Sequence, residues 1–188
     1  MKNEYEVRIL NINKDELINK LSELNALFVG EWLQKRYIYD FNPKLDNKWI
    51  RLRTNGEVTT LTIKEIKDYT IGGTKELEIE VNDFEETNKI LEELGYRARS
   101  IQENERIRYI LDDVEIDIDT WPGVNTFVEF EGKNSCCIED VICKLGMNFQ
   151  DSTTLDVKSI YLSLGYKEEV MNNLSFKEEK KYGFQRVR

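Results

Sequence analysis

Carboxylates spaced two residues apart recur along this chain, and four pairs, Glu4/Glu6, Glu78/Glu80, Asp117/Asp119 and Glu129/Glu131, sit in alternating apolar runs. Basic residues keep the same step: Arg8 follows the first pair, Arg51 and Arg53 form another, and so do Arg106 and Arg108, with Lys64 in a run of its own. On a β-strand a two-residue step returns side chains to one face. Carboxylates unaccompanied by imidazole or thiolate suit a hard cation bound through oxygen and water, Mg²⁺ or Mn²⁺. Guanidinium and ammonium groups facing such a cation suit a polyanion with several phosphates. The chemistry to expect is metal-assisted reaction at a phosphate.

Composition narrows this further. The 188 residues contain no histidine, which removes the commonest general base and both Ser-His-Asp and Cys-His catalysis. The three cysteines, Cys136, Cys137 and Cys143, have no CxxC spacing, and an odd number argues against a disulfide framework. They read as residues of a short helix capped by Ser135. A formal charge of −9 argues against a broad nucleic-acid groove, though a local basic cluster can still hold an anion. No apolar run approaches a membrane span and the N-terminus is polar. A cytoplasmic protein, monomer or homodimer, without nucleic-acid or membrane partners is expected.

The elements that must position these residues follow from periodicity. "NKDELINKLSELNALF" and "DFEETNKILEELGY" carry apolar residues at helical spacing behind the caps Asn13 and Asp83, and Gly95 stops the second. Shorter helices are predicted over 136–145 and 154–164. The alternation predicts eight strands: the opening "NEYEVRIL", then "LQKRYIYD", "WIRLR", "TTLTIKEI", "KELEIEV", "ERIRYIL", "VEIDID" and "TFVEFEG". A faint repeat of about 70 residues relates two halves, the first presenting bases and the second acids at matching strands. One α+β domain over 1–188 is the economical organisation, and the charged tail 176–188 reads as a loose end, a late strand or a mobile lid.

A sheet with water over its charged face is the plain alternative. Carboxylates roughly 7 Å apart along a strand repel by roughly 2 kcal/mol at an effective dielectric of about 20. Four such pairs around one enclosed space need cations to balance them. That favours a closed barrel with a charged interior and bound metal.

The ordered motifs resemble the CYTH superfamily, the triphosphate tunnel metalloenzymes, which include class IV adenylyl cyclases and thiamine triphosphatases. An N-terminal ExExK stands here as Glu4-Tyr5-Glu6-Val7-Arg8, with Arg for Lys. RxR is Arg51-Leu52-Arg53, followed by Lys64; ExE is Glu78-Ile79-Glu80; RxxY runs from Arg106 to Tyr109; and Asp119, Gly123, Phe127, Glu129 and Glu131 make the late signature. The resemblance implies an eight-stranded antiparallel barrel forming a tunnel, with helices packed outside. It implies that Glu4, Glu6, Asp119, Glu129 and Glu131 hold Mg²⁺ or Mn²⁺. Arg8, Arg51, Arg53, Lys64, Arg106 and Arg108, with Lys158 from a C-terminal helix, would clamp a triphosphate. Glu78, Glu80 and Asp117 would be supporting carboxylates. Asn104 replaces a frequent basic residue and Asn125 a frequent glycine, which puts phosphate binding and the tunnel rim in question.

The activity so implied is hydrolysis of inorganic tripolyphosphate, thiamine triphosphate or a nucleoside triphosphate. A ribose 3′-hydroxyl placed at the α-phosphorus would instead give cyclic AMP and pyrophosphate, as in a class IV adenylyl cyclase. A non-catalytic barrel that binds polyphosphate or nucleotide is the rival from another class. Tyr37, Tyr39 and Trp121 are read as rim packing ahead of nucleobase contacts.

Overall fold

Alternating apolar and charged residues give every long strand two faces with opposite needs, and closing the sheet on itself satisfies both. The computed structural model describes residues 1–182. In it the chain runs β1 (Lys2–Ile9), α1 (Lys14–Glu23), β2 (Leu27–Asp40), β3 (Lys48–Thr54) and β4 (Thr59–Ile66). The same plan repeats in β5 (Thr74–Val81), α2 (Phe84–Glu93), β6 (Ala98–Leu111), β7 (Val114–Thr120) and β8 (Phe127–Gly132). Then come α3 (Ser135–Lys144), β9 (Ser152–Thr153), α4 (Val157–Ser163), β10 (Asn173–Leu174) and α5 (Phe176–Tyr182). The charged tail thus begins as α5, and its residues 183–188 lie outside the described ones.

Eight antiparallel strands close in the order β1-β5-β4-β3-β2-β6-β7-β8 and back to β1. The short β9 adds to β1, and β10 pairs in parallel with β6. All eight predicted strands are present, β2 and β6 starting several residues earlier than the alternation suggested.

The five helices lie outside, where the outward apolar rows need cover. Leu17 and Leu21 of α1 and Ile138, Val141 and Ile142 of α3 pack on Val7, Ile116, Val128 and Phe130. Phe84 and Leu91 of α2 cover Tyr39, Ile50 and Leu52. A third cluster gathers Trp121 and Phe127, at the β7–β8 turn, with Ile160 and Tyr161 of α4 and Leu174. Tyr37 and Tyr39 are packing residues, Tyr37 edge-on to Phe84 and Tyr39 donating to Asn88 Oδ1 at 2.7 Å. No helix among the described residues is long and apolar enough to cross a membrane.

Both long helices begin as their caps predicted. The Asn13 side chain accepts from Asp15 N and Glu16 N, and Asp83 Oδ1 accepts from Glu86 N at 2.7 Å. Gly95, at φ +91°, ends α2. The cap of α3 is Asn134 instead of Ser135: its side chain accepts from Cys137 N at 3.0 Å, so the helix starts one residue earlier. All three cysteines are free. Asp83→Ala should cost about 1 kcal/mol, read as a shifted midpoint in urea with an unchanged slope.

Candidate functional site

Eight strands in a ring set each strand against the one four places away. The strand order therefore places β8 across from β3 and β1 across from β2. Acidic β7, β8 and β1 form one arc, and basic β4, β3 and β2 form the arc facing it. Basic β3 and β4 thus face acidic β8 and β7 across the barrel, and acidic β1 extends the acidic arc beside β8. Two adjoining cavities fill the space, of about 370 and 220 Å³, sharing Glu4, Glu6, Arg8, Arg36, Arg51 and Lys64.

Three carboxylates of the acidic arc converge. One oxygen from each of Glu4, Glu6 and Glu131 lies within 4.8 Å of the others. Burial pushes the Glu131 carboxyl up to about 8, helped by the charges of Glu4, Glu6 and Glu129. Burial, with Glu129 and Glu4, likewise raises Glu6 to about 7 although Arg8 and Lys64 pull the other way. Glu4 is raised by burial against the pull of Lys64. Three crowded carboxylates that are hard to ionise together, all oxygen donors, are a donor set suited to a hard divalent cation.

The other two predicted metal ligands are committed elsewhere. Asp119 receives Arg106 through Nε at 2.7 Å and Nη2 at 2.6 Å. Glu129 pairs with Arg8 at 2.6 Å and with Arg106 at 3.3 Å. Burial alone would raise the Glu129 carboxyl, but Arg8 and Arg106 hold it far below the usual range. Asp117 takes Arg106 at 2.5 Å and Arg108 at 2.6 Å. Arg8 sits within the acidic arc, paired also with Glu6 and donating to the Leu155 carbonyl at 2.9 Å.

On the basic arc, Lys64 meets both oxygens of Glu4 at 2.8 and 3.0 Å, which joins the arcs. Arg51 reaches Glu76 at 2.9 Å and Glu78 at 3.1 Å. Arg53 has only a 3.6 Å approach to Glu78, and burial together with Arg51 and Arg106 lowers it to about 10. Lys158 lines the larger cavity and pairs with Glu168 at 2.5 Å. Glu80 is exposed and lines neither cavity, so the structure does not bring it to the site.

Two inward residues escaped the sequence analysis. Glu76 stands opposite Lys64 in the β4–β5 register, which the motif at Glu78 and Glu80 concealed. Arg36 points inward from β2, lines both cavities and stacks on the Trp121 ring at 4.5 Å. Only the parity of Gln34, Arg36 and Ile38 could have revealed it. Asn104 faces this residue and also donates to Asp119 Oδ1 at 3.1 Å, whereas Asn125 binds Asn11 at 3.0 Å.

A family profile described as the CYTH domain matches residues 2–137. Among solved structures, the PH1012 protein of Pyrococcus horikoshii is 25% identical with a TM-score of 0.70, over 81% of this chain and 96% of that one. A candidate adenylate cyclase from Vibrio parahaemolyticus is 16% identical with a TM-score of 0.74, over 86% and 98%. A candidate adenylyl cyclase from Hippeastrum, whose structure is described with a dominant triphosphatase activity, is 14% identical with a TM-score of 0.61, over 87% and 96%. No curated protein matches at a significant level.

Proposed function

The chain belongs to the CYTH domain family, and from that premise we propose that it is a metal-dependent phosphohydrolase acting on a small triphosphate held within the barrel. The observation that carries this reading is the apposition of Glu4, Glu6 and Glu131 to Arg51, Arg53 and Lys64 inside one enclosed space. Glu4, Glu6 and Glu131 would hold the divalent cation. When bound there, such a cation supplies electrophilic charge to phosphate oxygens and makes water a better nucleophile at neutral pH.

The side chains do the rest. Arg51, Arg53 and Lys64 neutralise phosphate oxygens and are held in place by the strands before substrate arrives, so little reorganisation is needed as charge shifts. Glu129 and Asp119 orient Arg8 and Arg106, and would reach the cation through the lone pairs those guanidiniums leave. The larger cavity adds Ile38, Trp49, Ile66, Leu162 and Met171 beside the charged centre, a lining suited to an organic group attached to the triphosphate. That lining gives the cyclase reading its support, while the activity described for the Hippeastrum protein favours water as the nucleophile.

Phosphorus-31 NMR of the products from tripolyphosphate, thiamine triphosphate and ATP, with Mg²⁺ and with Mn²⁺, tests this. Orthophosphate with the matching diphosphate is the expected outcome. Pyrophosphate with cyclic AMP would replace it with the cyclase reading, and no turnover of any of the three would leave a binding barrel.

A further inference from the structure

Arg36 differs from every other basic side chain of the barrel interior. Arg8, Arg51, Lys64, Arg106 and Arg108 each meet a carboxylate at 2.9 Å or less, and Arg53 approaches one at 3.6 Å. Among the described residues no carboxylate pairs with Arg36, although it is only 6% exposed. Its hydrogen bonds leave from Nη2 alone, to Gln34 Oε1 at 2.8 Å and Asn104 Oδ1 at 2.6 Å, both neutral amides. Its Nε is buried and finds no acceptor in the protein. Burial, then the charges of Arg53, Arg51 and Arg106, make its cationic form harder to keep, and the more distant charge of Asp119, beyond the Asn104 amide, offsets them in part.

A buried guanidinium without a counterion is costly, and amides orient it without neutralising it. The Trp121 face beneath it provides a platform for the planar cation. Arg36 also lines both cavities, so an anion passing between them meets it. We propose that Arg36 is a substrate-binding residue whose missing counterion is a phosphate of the bound triphosphate, with Gln34, Asn104 and Trp121 holding its fork in place. This rests on the triphosphate reading above and adds a contact to it. Asn104 is then a positioning residue: one end of its amide accepts from Arg36 and the other donates to Asp119, linking the anion clamp to the acidic arc.

The role requires an unusual combination, since the same side chain should weaken the fold and strengthen binding. Arg36→Gln and Arg36→Lys are therefore compared with the unaltered protein by titration calorimetry with inorganic tripolyphosphate, in EDTA so that nothing is turned over, and by thermal melting without tripolyphosphate. Arg36→Gln should weaken tripolyphosphate binding about tenfold or more, the effect of a lost charge-assisted hydrogen bond, while its Tm stays equal or rises. Arg36→Lys should keep part of the affinity. If Arg36→Gln binds as tightly as the unaltered protein, or loses affinity only in step with a fall in Tm, the assignment of Arg36 is overturned and the triphosphate reading stands. If the unaltered protein binds tripolyphosphate neither in EDTA nor with Mg²⁺ present, the triphosphate reading falls and this assignment with it.

Discussion

Glu131→Gln should raise the melting temperature of the metal-free protein at pH 8.5, and Glu129→Gln, two residues earlier on the same strand, should lower it. The Glu131 carboxyl is raised to about 8 by burial and by its acidic neighbours. A raised carboxylate contributes stability in its protonated form, present below the unfolded value near 4.5 and lost as pH rises through about 8. Above that pH the folded protein carries an ionised group it would be better without, at a cost of up to about 5 kcal/mol. Glutamine removes the charge and keeps the shape. A gain of even 2 kcal/mol corresponds to about 4–8 °C in a chain of this size. At pH 5 the unaltered side chain is itself neutral, so the two proteins should melt together. Glu129 is the reverse case: its carboxyl is depressed, and its stabilisation is present above the unfolded value and lost as pH falls through the folded one. Glutamine there leaves Arg8 and Arg106 short of a partner and should cost roughly 3 kcal/mol at neutral pH. Melting in the presence of Mg²⁺ or Mn²⁺ completes the comparison. The metal should stabilise the unaltered protein and not Glu131→Gln, and turnover should vanish in that variant. Equal metal stabilisation in both would remove Glu131 from the cation site.

The barrel was legible in the sequence because a period of two is a local property: each strand declares which face it buries without reference to its neighbours. The starts of β2 and β6 were missed for the same reason. Leu27, Phe28 and Val29 form an unbroken apolar run that is exposed in the fold, so alternation fails there. What could not be read was which acid meets which base. That depends on inter-strand register, which sets Arg106 beside Asp119 and Lys64 beside Glu76. Five inward acids therefore looked equivalent as metal ligands. The fold divides them into Glu4, Glu6 and Glu131, which crowd one another, and Asp119 and Glu129, which hold guanidiniums. Arg36 was hidden beside Lys35 and ahead of two tyrosines, Tyr37 and Tyr39, whose aromatic rings drew the reading outward. Its inward row of amide, cation and isoleucine follows none of the alternating charge of the other strands.

Arg106→Gln and Arg53→Gln should separate the arginines that hold the barrel from those that hold its ligand. Arg106 is 4% exposed and makes four contacts of 3.3 Å or less, two to Asp119 and one each to Asp117 and Glu129. Its removal leaves Asp119 with only the Asn104 amide, at 1% exposure. Orphaning a buried charge in this way should cost roughly 3–5 kcal/mol, or about 6–20 °C in Tm. Adding Asp119→Asn should recover part of that loss, because it neutralises the orphan; simple additivity of the two changes would mean that the pair is not coupled. Arg53 has one long approach to Glu78 and three like charges nearby, Arg51, Arg106 and its cross-strand partner Arg36, so its loss should change stability by less than about 1 kcal/mol. Its loss should nevertheless reduce turnover by about a hundredfold or more if it stabilises charge on a reacting phosphate. An Arg53→Gln variant that melts and turns over normally would take Arg53 out of the clamp. An Arg106→Gln variant that melts normally would mean that the acidic arc is held by its strands alone. Any loss of turnover in that variant would then belong to substrate binding, the role its place in the motif first suggested.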